Sequence, residues 1–248
     1  MVDLRPLARV AREAAAEWGV ELGPPFSLAC MSFVAPAGED AVLKVRPPED
    51  DESDEEADAL ALWNGDGAPR LLRSDPSRRA ILIERARPGT DVSGLPDDEA
   101  TAVAIDVGLR LWRPAGQPFR WIGDWVPRWL DRAAGHELTP LARRLYASLE
   151  PGRASLVHGD FHHHNLLDAG GRHFAVDPKP YLGEPEFDVW SFLRNPMSYR
   201  MTLETTERRL AAFAAAGLDE GRMRAWSVIR GAYLGADENE TQMLRALL

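Results

Sequence analysis

Residues 156–165 read LVHGDFHHHN. Three consecutive histidines beside an aspartate look like ligands for a transition metal. The same stretch also contains Asp160-x-x-x-x-Asn165, a carboxylate and an amide held apart by one short loop, and these are hard oxygen donors of the kind that suit magnesium. The two readings imply different chemistries, and the rest of the chain has to separate them.

The 248 residues suffice for one large domain or two small lobes with real cores. With 45% hydrophobic and 27% charged residues, the composition is that of an ordinary water-soluble globular protein, and no membrane segment is expected. Leu4, Leu7, Ala11, Ala14 and Trp18 recur at helical spacing. Charges at Asp3, Arg5, Arg9, Arg12, Glu13 and Glu17 interrupt any apolar run there, so no secretory leader is expected. A single cysteine, Cys30, cannot form an internal disulfide, which fits a cytoplasmic setting. The net charge of −10 disfavours nucleic acid as a partner. It says little about a cationic substrate, because eight of the 39 acids lie in the run EDDESDEEAD, 49–58, and the remainder nearly balances the 29 basic residues. That run reads as a solvated loop leading into a helix whose dipole favours acids. Nothing in the sequence specifies an oligomeric state.

Punctuation by Gly, Pro and Asp marks AVLKV, 41–45, as a short strand, and 70–72 and 79–85 as two more around Asp75-Pro76. Between them a helix puts Glu52, Glu56, Ala59, Leu60 and Trp63 on one face. Beyond Arg87-Pro88-Gly89 helices are predicted over 97–113, with Ala102, Ile105, Leu109 and Trp112 inward, over 121–134 and over 137–149. Strands follow at 155–158 and 173–177, and the remainder from about 186 is helical with a stop at Gly217. The expected fold class is α+β: a small N-terminal lobe, 1–86, with an antiparallel sheet and a helix, and a larger mainly helical C-terminal lobe, 87–248.

Asp160, Asn165 and a second aspartate, Asp177, stand in the order of a phosphoryl-transfer loop: a base for the acceptor hydroxyl, then two oxygen ligands for Mg²⁺ on ATP. Lys44 ends its strand as a phosphate-binding lysine does, and Glu56 is its candidate partner, with Glu52 and Glu55 as competing choices. Backbone groups near Glu84 and Ala86, where the strand enters the hinge, are placed to hydrogen-bond adenine.

The stretches AVLKV, RAILIERARPGT, IGDWVPRWL, LVHGDFHHHN and AVDPKPYLGEPEFDV run in order over 41–190. Together they resemble the aminoglycoside phosphotransferases, in the streptomycin 6-phosphotransferase and hydroxyurea-resistance branch of the kinase-like superfamily. The resemblance implies a two-lobed protein-kinase-like fold, ATP and Mg²⁺ as cofactors, and a small hydroxylated acceptor, cationic if it is an aminoglycoside. It implies Asp160 as catalytic base, Asn165 and Asp177 as metal ligands, Lys44 as phosphate anchor and Asp188 as a brace for the catalytic loop. Lys179 fits the branch without an assigned role. The pattern departs from the family at His164, where Gly is usual, and in the absence of GxGxxG before Lys44, so that 27–38 would cover the phosphates.

Three rivals share some of these features. A metal-dependent phosphoesterase would use the histidines but needs further His motifs, and only His173 follows the cluster. A nucleotide-binding pseudokinase would explain His164 and the irregular phosphate loop. A metabolic kinase of a sugar or amino alcohol would keep the chemistry and change the acceptor. His158 and the pair His162 and His163 read as supports for the loop, and Trp121 and Trp125 as packing residues.

Overall fold

A computed structural model describes residues 4–27, 31–50, 54–152, 155–196 and 201–248. The chain forms two compact units, 1–90 with 167–176, and 91–166 with 177–248. The hairpin 167–176, which the sequence groups with the second lobe, thus packs with the first.

The first unit is built on a four-stranded antiparallel sheet of β1 (Phe33–Ala37), β2 (Ala41–Val45), β3 (Leu71–Asp75) and β4 (Ala80–Glu84), in the order β1-β2-β4-β3. The central strands β2 and β4 are apolar at nearly every position because both faces are covered. Helix α1 (Arg5–Trp18) lays Leu7, Ala11 and Ala14 against Ala35, Leu43 and Leu82, and closes at Gly19 in the left-handed conformation. Helix α2 (Glu56–Trp63) begins inside the acidic run, with Glu56 and Asp58 in its first turn and Glu56, Ala59, Leu60 and Trp63 buried. Sequence periodicity found β2, α2 and β4 but not β1, whose Pro36 masks a strand; Pro is tolerated here because β1 lies at the sheet edge. Residues 33–37 of the expected phosphate-covering stretch belong to β1, and 28–30 of it lie outside the described residues.

The second unit is mainly helical: α3 (Asp97–Leu111), α4 (Val126–Arg132), α5 (Thr139–Leu149), α6 (Pro185–Leu193), α7 (Leu203–Ala215), α8 (Glu220–Tyr233) and α9 (Glu238–Ala246). Helix α6 is buried from Glu186 to Leu193, and α8 packs on it and on α5. Gly217 separates α7 from α8 as expected. The helix expected over 121–134 is a 3₁₀ turn, 122–124, followed by α4, with Pro127 in its first turn.

The buried face of α3 corrects the sequence reading. Ala102 and Leu109 are exposed, and Ala100, Thr101, Ala104, Val107, Gly108 and Leu111 face inward. The small residues repeat with an equally good helical period, and Gly108 receives the Trp112 ring, which a β-carbon there would meet at 2.4 Å.

The predicted strands near 155 and 173 do form, as β5 (Ser155–Val157) and β7 (His173–Ala175), but they do not pair with each other. Strand β5 pairs antiparallel with β8 (Tyr181–Gly183), and β7 pairs with β6 (Leu166–Asp168). Three-residue strands carry too little periodicity to reveal a partner. No helix among the described residues is long and apolar enough to cross a membrane.

Candidate active site

In the first unit, the β2 register points Lys44 to a side where it is 5% exposed. A buried ammonium needs a carboxylate. Glu56, 1% exposed, supplies both oxygens at 2.8 Å from Nζ. Of the three acids considered, Glu56 is therefore the partner. Glu55 is the residue before the first turn of α2, and Glu52 lies outside the described residues. Arg46 adds a second cation, with Nε 3.7 Å from Glu56 Oε2. Replacing Glu56 by Ala would leave Lys44 buried without this partner, and we expect it to cost about 3–5 kcal/mol. Glu56→Gln, which keeps one acceptor, should cost less. Urea midpoints check this, and an unchanged midpoint for Glu56→Ala would refute a structural role for the pair.

Glu84 closes β4. Its carboxylate accepts from the Arg172 guanidinium and from Arg70 N at 3.2 Å, and its own N–H donates to Arg70 O at 2.9 Å. Ala86, two residues on, forms no hydrogen bond with the described residues. The chain is then held by the hairpin: Gly89 N donates to Asp168 O, and Asp168 N to Thr90 O, both at 2.9 Å.

In the second unit, β5 delivers the chain into a loop fixed from below by Asp188 of α6, which is fully buried. Its Oδ2 accepts from His158 N at 2.7 Å and Trp112 Nε1 at 2.8 Å, and its Oδ1 accepts from Gly159 N at 2.8 Å. Arg230 of α8 donates to Gly159 O and Phe187 O, each at 2.9 Å. Gly159 has φ of +82°, and a β-carbon on it would stand 2.0 Å from Lys179 O, so only glycine fits. Trp112 and Arg230 escaped the sequence reading, because a Trp and an Arg in helical apolar stretches read as ordinary packing and surface residues.

Asp160 follows. Its carboxylate lies 3.6 Å from His162 Nε2 and 3.8 Å from Lys179 Nζ. Burial works to raise its pKa, but the neighbouring His162 and Lys179 outweigh it and hold the carboxyl well below the usual carboxylate range. The group is therefore ionised at neutral pH. Asn165 turns its amide nitrogen to Asp160 O at 2.9 Å. This leaves the amide oxygen facing away from that carbonyl, as a hard donor. Asp177 is exposed, with φ of +59°, a left-handed conformation that Asp tolerates better than most residues. It lies two residues before Lys179, whose N donates to His158 O at 2.8 Å, which places it near the same loop. An amide oxygen and an exposed carboxylate make a donor pair suited to Mg²⁺.

The three histidines part company. His162 sits beside Asp160 and Asn165. His163 is buried and stacked on Phe192 with ring centroids 4.1 Å apart; burial first, and then Arg209, push its pKa down to about 3. His164 places Nδ1 2.9 Å from Asp91 Oδ2, and that carboxylate also receives Ser93 N at 2.9 Å. Rings engaged in three directions are not a metal cluster, so the transition-metal reading of HHH loses its geometric basis. His158 is fully buried, and desolvation pushes its pKa down, so it is a neutral support for the loop.

The sequence signature described as aminoglycoside/hydroxyurea antibiotic resistance kinase matches residues 20–241. A hydroxyurea phosphotransferase of Kitasatospora aureofaciens is 33% identical over 240 residues, covering 86% of this chain and 67% of that protein. A streptomycin 6-kinase of Streptomyces glaucescens is 33% identical over 211 residues, covering 77% and 68%. Among solved structures, an aminoglycoside phosphotransferase in a ternary complex with streptomycin and ATP superposes with a TM-score of 0.61 at 16% identity, covering 100% of this chain and 97% of that one. That likeness shows the protein-kinase-like fold. The signature match over most of the chain establishes the rest: this protein is a member of the aminoglycoside/hydroxyurea antibiotic resistance kinase family.

Proposed function

We propose that the protein transfers the γ-phosphoryl group of ATP to a hydroxyl of a small acceptor, an aminoglycoside or aminocyclitol such as streptomycin. The observation that carries this reading is the braced loop in which an ionised Asp160 and the Asn165 amide are fastened together through Asp160 O. Asp160 orients the acceptor hydroxyl and takes its proton late, since a weakly basic carboxylate suits a loose phosphoryl transition state. Asn165 and Asp177 hold Mg²⁺, which neutralises phosphate charge when bound. Lys44, pinned by Glu56, steadies the α- and β-phosphates. Ala86 offers the backbone contact for adenine, because the Glu84 N–H is already donated to Arg70 O. Positioning and charge neutralisation supply most of the acceleration.

A second acceptor is favoured by one observation: the hydroxyurea phosphotransferase and the streptomycin 6-kinase are equally similar to this chain, at 33% identity each. The N-hydroxyl of hydroxyurea presents the same O–H to Asp160. A coupled ADP-release screen tests both, with streptomycin, other aminoglycosides, hydroxyurea, sugars and amino alcohols as acceptors. Acceptor-dependent ADP release with streptomycin is expected. Release with sugars or amino alcohols alone would replace the acceptor class, and no acceptor-dependent release across the panel would overturn the proposal.

A further inference from the structure

Lys179 does two separate things in this fold. Its main chain is structural: Lys179 N donates to His158 O at 2.8 Å, and its carbonyl occupies the space that a side chain on Gly159 would need. Its side chain is 37% exposed and extends beyond that packing. Along 177–180 exposure alternates. Pro178 and Pro180 are buried, while Asp177 is exposed and Lys179 half-buried. Nζ ends 3.8 Å from Asp160 Oδ2, within Coulomb range but beyond hydrogen-bond length.

The charges around Asp160 explain why a cation is needed at this point. In the transfer, the bond from the γ-phosphorus to the ADP oxygen breaks and a bond to the acceptor oxygen forms. The hydroxyl proton passes to Asp160, and the products are ADP and the phosphorylated acceptor. The moving group carries negative charge on its equatorial oxygens and approaches an acceptor seated on an anionic carboxylate. The loop 160–165, DFHHHN, contains no lysine or arginine. Arg230 beneath it is buried and directs its two terminal nitrogens to Gly159 O and Phe187 O.

We propose that Lys179 is a catalytic residue of this transfer, its ammonium touching the phosphoryl group as it passes to the acceptor and screening that group from Asp160. The assignment rests on the phosphotransferase reading above. It predicts selectivity for the transition state over bound nucleotide.

The test uses the full chain and the variants Lys179→Met and Lys179→Arg. Calorimetry compares binding of ADP with Mg²⁺ against the same mixture with aluminium fluoride, a mimic of the phosphoryl group in flight. Wild type should gain about tenfold or more in affinity from the fluoride. Lys179→Met should bind ADP within about twofold of wild type and lose that gain, while kcat falls about 10²–10³-fold with little change in the KM for ATP. Lys179→Arg should recover part of both. A Met variant that keeps the fluoride gain overturns the assignment. So does one that melts well below wild type, which would make the side chain a brace. A wild type with neither fluoride gain nor acceptor-dependent turnover overturns the phosphotransferase reading itself, and the Lys179 assignment with it.

Discussion

Replacing Asp160 by alanine should lower kcat by about 10³-fold or more while leaving ATP affinity within a few fold. The loop should survive the change, because Asn165 is fastened to the main-chain carbonyl of Asp160 and Asp188 grips the backbone of His158 and Gly159. What is lost is the ionised carboxylate that orients the acceptor and receives its proton. Asp160→Asn separates those two duties: it keeps a hydrogen-bond acceptor for the hydroxyl but has no negative charge to take the proton. It should fall between alanine and wild type, much nearer to alanine. Coupled ADP release gives kcat, and calorimetry gives nucleotide affinity. Turnover by Asp160→Ala within tenfold of wild type would remove this residue from the chemistry.

The second large effect is one of stability. Asp188 is fully buried and receives three N–H groups, from His158, Gly159 and the Trp112 indole. Asp188→Ala leaves all three without that acceptor. At roughly 1–3 kcal/mol for each stranded buried donor, partly relieved by relaxation, the loss should be about 3–5 kcal/mol. That is a large share of the roughly 5–15 kcal/mol that holds a typical domain together. Asp188→Asn should be milder in stability, since one oxygen remains, but its amide N–H₂ must then face one of the three donors. Urea unfolding followed by tryptophan fluorescence measures both variants. Activity should fall in parallel, since two of these bonds set the path of the chain into Asp160. An unfolding midpoint for Asp188→Ala equal to wild type would show that the loop is held by something else.

The family fit and the site diverge in how far sequence alone could take them. The strand carrying Lys44, the helix carrying Glu56 and the loop from Asp160 to Asn165 were legible because each joins a strong local period to a fixed spacing. The partner of Lys44 was less so. Three acids stood within reach in sequence, and the two 2.8 Å contacts of Glu56 with Lys44, both side chains buried, single it out. The inward face of α3 was misjudged because two sets of apolar positions repeat equally well, and the choice between them falls to Gly108, which makes room for Trp112.

The run of histidines shows the same division most clearly. As letters, His162, His163 and His164 form one cluster. In the fold one sits beside Asp160, one stacks on Phe192 and one binds Asp91. The sequence by itself determined the two-part α+β plan and the order of the chemical groups, since these depend on local periodicity and on spacing within single loops, and its resemblance to known proteins over 41–190 pointed to the family. Only the tertiary structure decided which charges are paired, which strands are neighbours and where Lys179 stands. Those outcomes depend on desolvation and on partners drawn from distant segments, and neither is written in local order.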